Sequence, residues 1–176
     1  NTAGTITIAN GTVNGNLTVD APNATVNNGA TVTGTITIKV ETKEALINAL
    51  NNNNIDIILL KNNITLTSPL FIERKVTIEG VNNNGGRRVL TINSGVDKEG
   101  DNSPEGLVIF GVNASGTIIR NITVKGNHGD NLIEIYDNTD VAEGNMVVTL
   151  ENVEASGGKK AGIYVNKDNA GTITVN

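Results

Sequence analysis

A cluster of acidic residues is the first candidate for chemistry in this sequence. Four carboxylates fall within nine residues, at Asp97, Glu99, Asp101 and Glu105. Hard cations such as calcium prefer oxygen ligands of this kind. The spacing matches no calcium-binding loop, so a calcium site and a solvated loop both stay open. No cofactor is required on either interpretation.

Two tyrosines, Tyr136 and Tyr164, are the candidates for contact with a carbohydrate. Surfaces that bind sugars usually offer aromatic faces, yet Phe, Trp and Tyr together make up only 2% of this chain. The tyrosines fall in corresponding segments of a repeating pattern, so we expect them to lie side by side. The alternative is that both cover the core or the edge of a sheet.

Composition removes several other kinds of site. The chain has no Cys and a single His, His128, which excludes disulfides, Cys-ligated zinc and sites built from several histidines. The net charge is −5 and the cations are scattered, so nucleic acid is not an expected partner. The apolar runs are too short to cross a bilayer, so we expect no membrane insertion. We expect His128 in a solvent-facing loop.

The spacing of the apolar residues predicts an all-β protein. Short segments alternate an aliphatic residue with Thr or a charged residue, and Asn-Gly steps mark turns between several of them. Asn, Thr and Gly are abundant and are weak helix formers. Segment 42–50 is the exception. It places apolar residues on one helical face behind Thr42 as N-cap, which predicts one short amphipathic helix.

Internal similarity predicts that the strands stack in a repeating order. Residues 116–121 match 171–176 at a spacing of 55, and residues 119–126 match 150–157 at a spacing of 31. An irregular period of this kind favours a solenoid over a β-meander. In a solenoid each turn of the chain packs on the previous one, and extra residues bulge out as loops.

These segments resemble pectate-lyase-like right-handed parallel β-helices. The resemblance rests on segment 42–50, the strands that follow it, and the similar turns at Asn121 and Asn152, and it covers roughly residues 40–176. In that family Asn occupies a tight turn between the second and third sheets. There it tolerates a left-handed backbone, and its amides form ladders. We expect residues 1–39 to form narrower turns of the same solenoid. Residues 1–176 would then be the N-terminal part of one β-helix domain, incomplete at its C-terminal end.

Two catalytic alternatives carry little support. Residues 138–140, Asn-Thr-Asp, resemble a motif of polygalacturonases, but the other elements of that site do not follow Asp140. Asp130, Asp137 and Asp140 resemble the clustered calcium ligands of pectate lyases, but Arg is sparse. We therefore expect no turnover activity from this chain.

Asn176 is the residue for which we predict covalent chemistry. The repeat alignment places it at the turn occupied by Asn121 and Asn152. The side-chain nitrogen of Asn can attack its own main-chain carbonyl and expel the following amine, and a strained turn favours this reaction. A chain that starts at Asn1 and stops at this turn is expected to be a processed piece of a longer one. This pattern is similar to family 54 carbohydrate-binding modules, which are β-helices of bacterial surface glycosidases that cut themselves after an Asn.

That narrower resemblance implies a function. The chain would be a carbohydrate-binding module of a secreted, multimodular chitinase or β-glucanase, and its catalytic residue for self-cleavage would be Asn176. Its partners would be its own C-terminal piece and a polysaccharide, and its location would be the bacterial cell surface or the extracellular space. The alternative is a surface-layer adhesin or structural spacer, because Asn, Thr and Gly with few aromatics suit a rigid stalk equally well.

Overall fold

The structure is a computed structural model that describes residues 4–81, 84, 86–93, 106–126, 131–137, 144–167 and 171–176. These residues form mostly β-strands, with one α-helix, α1 (Lys43–Leu50), and a 3-10 helix at Val112–Ala114. The strands are β1 (Thr5–Val13), β2 (Leu17–Val19), β3 (Thr25–Val32), β4 (Ile36–Val40), β5 (Ile57–Leu60), β6 (Ile64–Leu66), β7 (Leu70–Ile72), β8 (Thr77–Gly80), β9 (Arg88–Ile92), β10 (Leu107–Phe110), β11 (Thr117–Gly126), β12 (Asn131–Tyr136), β13 (Met146–Ser156), β14 (Ala161–Asn166) and β15 (Ile173–Val175).

Helix α1 forms where the sequence predicts it. Thr42 has an extended backbone, and its hydroxyl accepts a hydrogen bond from the backbone N–H of Ala45 at 3.2 Å, which satisfies one of the donors that a helix start leaves free. The apolar stripe of the helix packs against the core through Ala45, Leu46, Ala49 and Leu50. The predicted cap and the predicted helix are therefore both confirmed.

The strands form parallel sheets. All strand pairs among the described residues are parallel. Each pair joins strands that are separated in sequence by at least one other strand, except β4 and β5, which are separated by helix α1. Sheet A contains β1 and β3, and sheet C runs in the order β14-β12-β10-β7. Sheet B contains the other nine strands. The all-β prediction is thus confirmed, with parallel pairing.

The inward side chains of the sheets build one continuous hydrophobic core. Strands alternate their side chains between two faces, so every second residue of a strand points inward. In sheet B, isoleucines occupy equivalent positions of four strands and are at most 2% exposed: Ile38, Ile58, Ile78 and Ile119. Each such side chain contributes about 2 kcal/mol through burial, so the stacked rows are the main source of stability.

Arg74 joins helix α1 to the segments that follow it. Its guanidinium donates hydrogen bonds of 2.8–3.0 Å to the backbone carbonyls of Ala49, Leu50, Ile55 and Lys75. Two of these carbonyls belong to the last turn of α1, whose acceptors have no partner within the helix. Burial lowers the pKa of Arg74 from its ordinary value, and the charge of Asp56 acts in the opposite direction.

Candidate functional site

The outward side of sheet C carries all four aromatic residues of the chain. One row across β7, β10, β12 and β14 consists of Phe71, Val108, Glu134 and Tyr164. The next row, two residues further along the strands, consists of Phe110, Tyr136 and Asn166. Alternation along each strand places these side chains opposite the core residues. We call the surface formed by these seven residues the aromatic face.

Three of the aromatic rings are used for packing. Phe110 and Tyr136 are each 8% exposed, and with Val108 and the half-buried Phe71 they form an apolar cluster separate from the main core. The Phe110 and Tyr136 rings meet edge to face, with centroids 5.5 Å apart and planes at 66°. This geometry suits the quadrupoles of both rings. The rings of Phe110 and Tyr136 are therefore closed to a ligand, whereas Phe71 lines a small pocket beside helix α1.

Tyr164 is the exposed member of the aromatic face. It lies on the edge strand β14, and 39% of it is accessible to solvent. Its register partner is Glu134, whereas the partner of Tyr136 is Asn166. The two tyrosines thus share a face and lie on adjacent strands, but they are diagonal neighbours and not side by side as the sequence suggested. Tyr164 is the aromatic residue of this face that is most exposed to solvent.

Two buried carboxylic acids lie in or directly after β12. Glu134 was not selected from the sequence, whereas Asp137 was considered there as a calcium ligand. Glu134 is 0% exposed and Asp137, which follows β12, is 1% exposed. Burial of a carboxyl group is costly and marks a site where the surroundings are specialised. The available signal was a charged residue within the otherwise apolar strand β12. Glycoside hydrolysis requires two carboxyl groups that reach the scissile bond. Neither Glu134 nor Asp137 is accessible in this way.

The predicted asparagine turns are present in β11 and β13. Asn121 and Asn152 have φ values of 56° and 51°, which is the left-handed conformation. Their side chains are hydrogen-bonded, with the Asn152 Nδ2 donating to the Asn121 Oδ1 at 2.9 Å. Both the left-handed backbone and the amide ladder are therefore confirmed at these two positions.

Asn176 does not occupy the equivalent turn. Its backbone N–H donates to the carbonyl of Val148 at 3.0 Å, and its carbonyl accepts from the N–H of Leu150 at 2.8 Å. This pairing places Asn176 beside Thr149, three residues before the position of Asn152. The prediction that Asn176 lies at the same turn as Asn121 and Asn152 is therefore wrong.

The sequence alignment assigned Asn176 to the wrong position for a physical reason. Thr117 of β11 is in register with Val148 of β13, and Val148 is in register with Val175 of β15. Sequence similarity had aligned Arg120 with Val175 instead. The segments between paired strands differ in length, and only backbone hydrogen bonding fixes the register between them.

Several residues selected from the sequence lie outside the described part of the structure. They are the acidic cluster at Asp97, Glu99, Asp101 and Glu105, together with His128, Asp130, Asn138 and Asp140. Among the residues that the structure describes, no group of three or more His, Asp or Glu side chains is placed to hold a metal ion. Within the same residues, no helix has both the length and the apolar character needed to cross a membrane.

Comparison with known proteins identifies one family. Residues 37–176 match the sequence model of a family described as a pectate lyase-like adhesive domain. Comparisons with curated proteins and with solved structures gave no significant match. The family match covers the helix α1, sheet C and most of sheet B, and so includes the whole aromatic face.

Proposed function

Because the chain belongs to the family of pectate lyase-like adhesive domains, we propose that it is a non-catalytic binding domain on the outside of a bacterial cell. The observation that carries this proposal is the aromatic face. It presents one exposed aromatic side chain, Tyr164, beside the buried carboxyl group of its register partner Glu134. Such a surface can hold a ligand, and none of its described residues forms an exposed acid and base pair that could cleave one.

We propose further that the strands form a right-handed parallel β-helix. Each strand of sheet B pairs with a strand 19 or more residues away, after the chain has passed through another segment. Crossovers between parallel strands of one sheet are almost always right-handed. Helix α1 stands between β4 and β5, where a strand of sheet A or C would otherwise lie. The division into narrower turns at 1–39 and regular turns at 40–176 stays a prediction.

A spin-label distance tests this stacking. Thr18 and Thr149 lie in one outward row of sheet B, separated by five strand-to-strand steps. The chain has no native Cys, so labels on Thr18→Cys and Thr149→Cys are unambiguous. Steps of about 4.8 Å predict a separation of about 24 Å, and the pair Thr37→Cys with Thr149→Cys should be about 5 Å shorter. Equal distances for the two pairs, or a broad distribution, would contradict the stacking.

The ligand that we propose is a polysaccharide, with Tyr164 as the aromatic contact. Replacement of Tyr164 by Ala removes the exposed ring but leaves the packed cluster of Phe110 and Tyr136 in place. We expect about tenfold weaker retention on insoluble chitin or β-glucan, because a stacked ring contributes about 1 kcal/mol or more. Val147 is similarly exposed but lies on sheet B, so Val147→Ala is the matched control and should bind normally. Equal binding by both variants would show that Tyr164 does not contact the polysaccharide.

The narrower proposal is a self-cleaved carbohydrate-binding module of a chitinase or β-glucanase. The chemistry of Asn supports cleavage after Asn176, but the residue lies in regular strand pairing, and that pairing provides no turn strain. We also propose that the acidic cluster at Asp97, Glu99, Asp101 and Glu105 binds a calcium ion. Mass spectrometry of the purified protein after denaturation tests whether the backbone is cleaved after Asn176. Two polypeptides that together account for one precursor support cleavage, and a single polypeptide that continues through Asn176 contradicts it.

We propose that a C-terminal piece of the same β-helix packs on β14 and β15, the end strands of sheets C and B. Ile163, Val165 and Val175 continue the inward rows of sheets C and B, yet they are 40–44% exposed. Their register partners on the preceding strands are fully buried. One more layer of parallel strands would cover these side chains and pair with the edges of β14 and β15.

A further inference from the structure

Three Asn-Gly steps fall within the first three strands and the turns between them. They are Asn10-Gly11, Asn14-Gly15 and Asn28-Gly29. In such a step the backbone nitrogen of the glycine can attack the side-chain amide carbon of the asparagine. Glycine hinders this attack least because it has no Cβ. The reaction still requires the backbone to leave its regular conformation, so the surrounding structure decides which of the three steps reacts.

The Asn14-Gly15 step is restrained by hydrogen bonds of its glycine. The N–H of Gly15, which is the nucleophile for Asn14, donates to the hydroxyl of Thr33 at 2.9 Å. The carbonyl of Gly15 accepts from the N–H of Gly34 at 3.1 Å. Both groups would have to separate from Thr33 and Gly34 before Gly15 could rotate toward the amide carbon.

Asn28 is restrained through its own side chain. Its Oδ1 accepts a hydrogen bond from the backbone N–H of Ala30 at 3.0 Å, and the residue is half-buried. Its backbone is in regular parallel register with Ile8. The amide carbon is therefore held away from the nitrogen of Gly29 by a bond that the reaction would have to break.

Asn10 lies at an irregular point of the ladder. The ladder between β1 and β3 passes from Ile8 opposite Asn28 to Gly11 opposite Ala30, so Ala9 and Asn10 together face one residue. This is a β-bulge, in which the extra residue leaves the regular ladder. Asn10 is exposed, and its side chain makes no hydrogen bond to other residues that the structure describes.

We propose that Asn10 is a site of spontaneous deamidation. The nitrogen of Gly11 loses its proton and bonds to the Asn10 Cγ, the bond from Cγ to the amide nitrogen breaks, and ammonia leaves. The product is a five-membered succinimide that contains the Asn10–Gly11 linkage. Water then adds to one of its two carbonyl carbons, and the ring opens to aspartate or isoaspartate at position 10.

The modification has a defined structural consequence. Isoaspartate adds a methylene to the backbone of β1, which displaces residues 11–13 from their pairing with residues 30–32. Both products place a negative charge in a groove of about 600 Å³ between Asn10 and Asn52, whose lining residues carry no charge. Deamidation therefore acts as an ageing change that weakens sheet A and alters the charge of this groove.

Peptide mapping after incubation at neutral pH tests the proposal. The intact chain is incubated folded or in denaturant, then digested, and each Asn-Gly peptide is analysed for the mass gain of about one dalton and for isoaspartate. In the folded chain we expect Asn10 to react about tenfold faster than Asn14 or Asn28, which is a small difference in barrier. In denaturant the three rates should converge.

Three results would overturn the proposal. These are a faster reaction at Asn14 or Asn28 in the folded chain, no reaction at Asn10, or an unchanged order in denaturant. The variant Asn10→Gln provides the control, because glutamine forms the larger ring slowly. It should abolish the mass gain of this peptide and leave the other two peptides as in the wild type.

Discussion

Replacement of Gly80 by Ala is expected to destabilise the fold by about 3 kcal/mol, because a new methyl group would be forced into closely packed backbone. Gly80 is buried at the end of β8, beside β9 and β11. A Cβ at this position would overlap the carbonyl oxygen of Asn121 and lie 3.0 Å from the backbone nitrogen of Arg88. Both contacts are backbone atoms of neighbouring strands, so neither can move without breaking the register. Urea denaturation measures the loss.

Gly144→Ala is the matched control for this substitution. A Cβ at Gly144 meets its nearest neighbour, the Val112 Cγ1, at 3.8 Å, which is ordinary van der Waals contact. We expect a change within about 0.5 kcal/mol. Similar losses for Gly80→Ala and Gly144→Ala would show that β8, β9 and β11 do not approach each other as described.

Replacement of Arg74 by Met is the second change with a large expected effect, about 4 kcal/mol. It retains much of the apolar stem but removes the guanidinium donor from the carbonyls of Leu50, Ile55 and Lys75. The carbonyl of Ala49 loses one donor and keeps the backbone N–H of Asn52. Each buried acceptor that loses its partner costs about 1–3 kcal/mol, and water recovers part of this. Arg74→Lys should recover only part of the loss, because one ammonium group cannot reach acceptors in four directions. Thermal and urea unfolding with far-UV circular dichroism follow both variants.

Arg120→Met provides the comparison. Arg120 makes one half-exposed ion pair, at 2.6 Å, with Glu79. Such pairs contribute about 0–1 kcal/mol and weaken in salt. The effect of Arg74→Met should be larger and should persist at high salt, because its acceptors are neutral carbonyls. Equal losses in the two variants, or a loss for Arg74→Met that disappears in salt, would contradict the role given to Arg74.

Features that depend on local pattern could be predicted from the sequence. Alternation of apolar residues gave the strands, and Thr42 with the apolar stripe behind it gave α1. The left-handed turns at Asn121 and Asn152 were predictable because few other residues tolerate that backbone. Each of these features is determined by a few adjacent side chains.

Features that depend on register could not be predicted in the same way. The similarity between residues 116–121 and 171–176 aligned Asn176 with the turn at Asn121. The pairing of β15 with β13 instead places Asn176 opposite Thr149, three residues before the turn at Asn152. The tyrosines were assigned to the correct strands, yet the register of β12 and β14 makes them diagonal. The contacts of Arg74 join segments 19–25 residues apart that no local pattern connects. Insertions of different length between strands remove the fixed period that such predictions need.

We propose that this chain binds a polysaccharide without cleaving it. The most direct measurement incubates the chain with insoluble chitin and β-glucan, then quantifies both the protein retained and the sugar products released. We predict retention that depends on Tyr164, with no new reducing ends and no unsaturated products. Release of products at a rate that scales with protein, or no retention on any polysaccharide, would contradict the account.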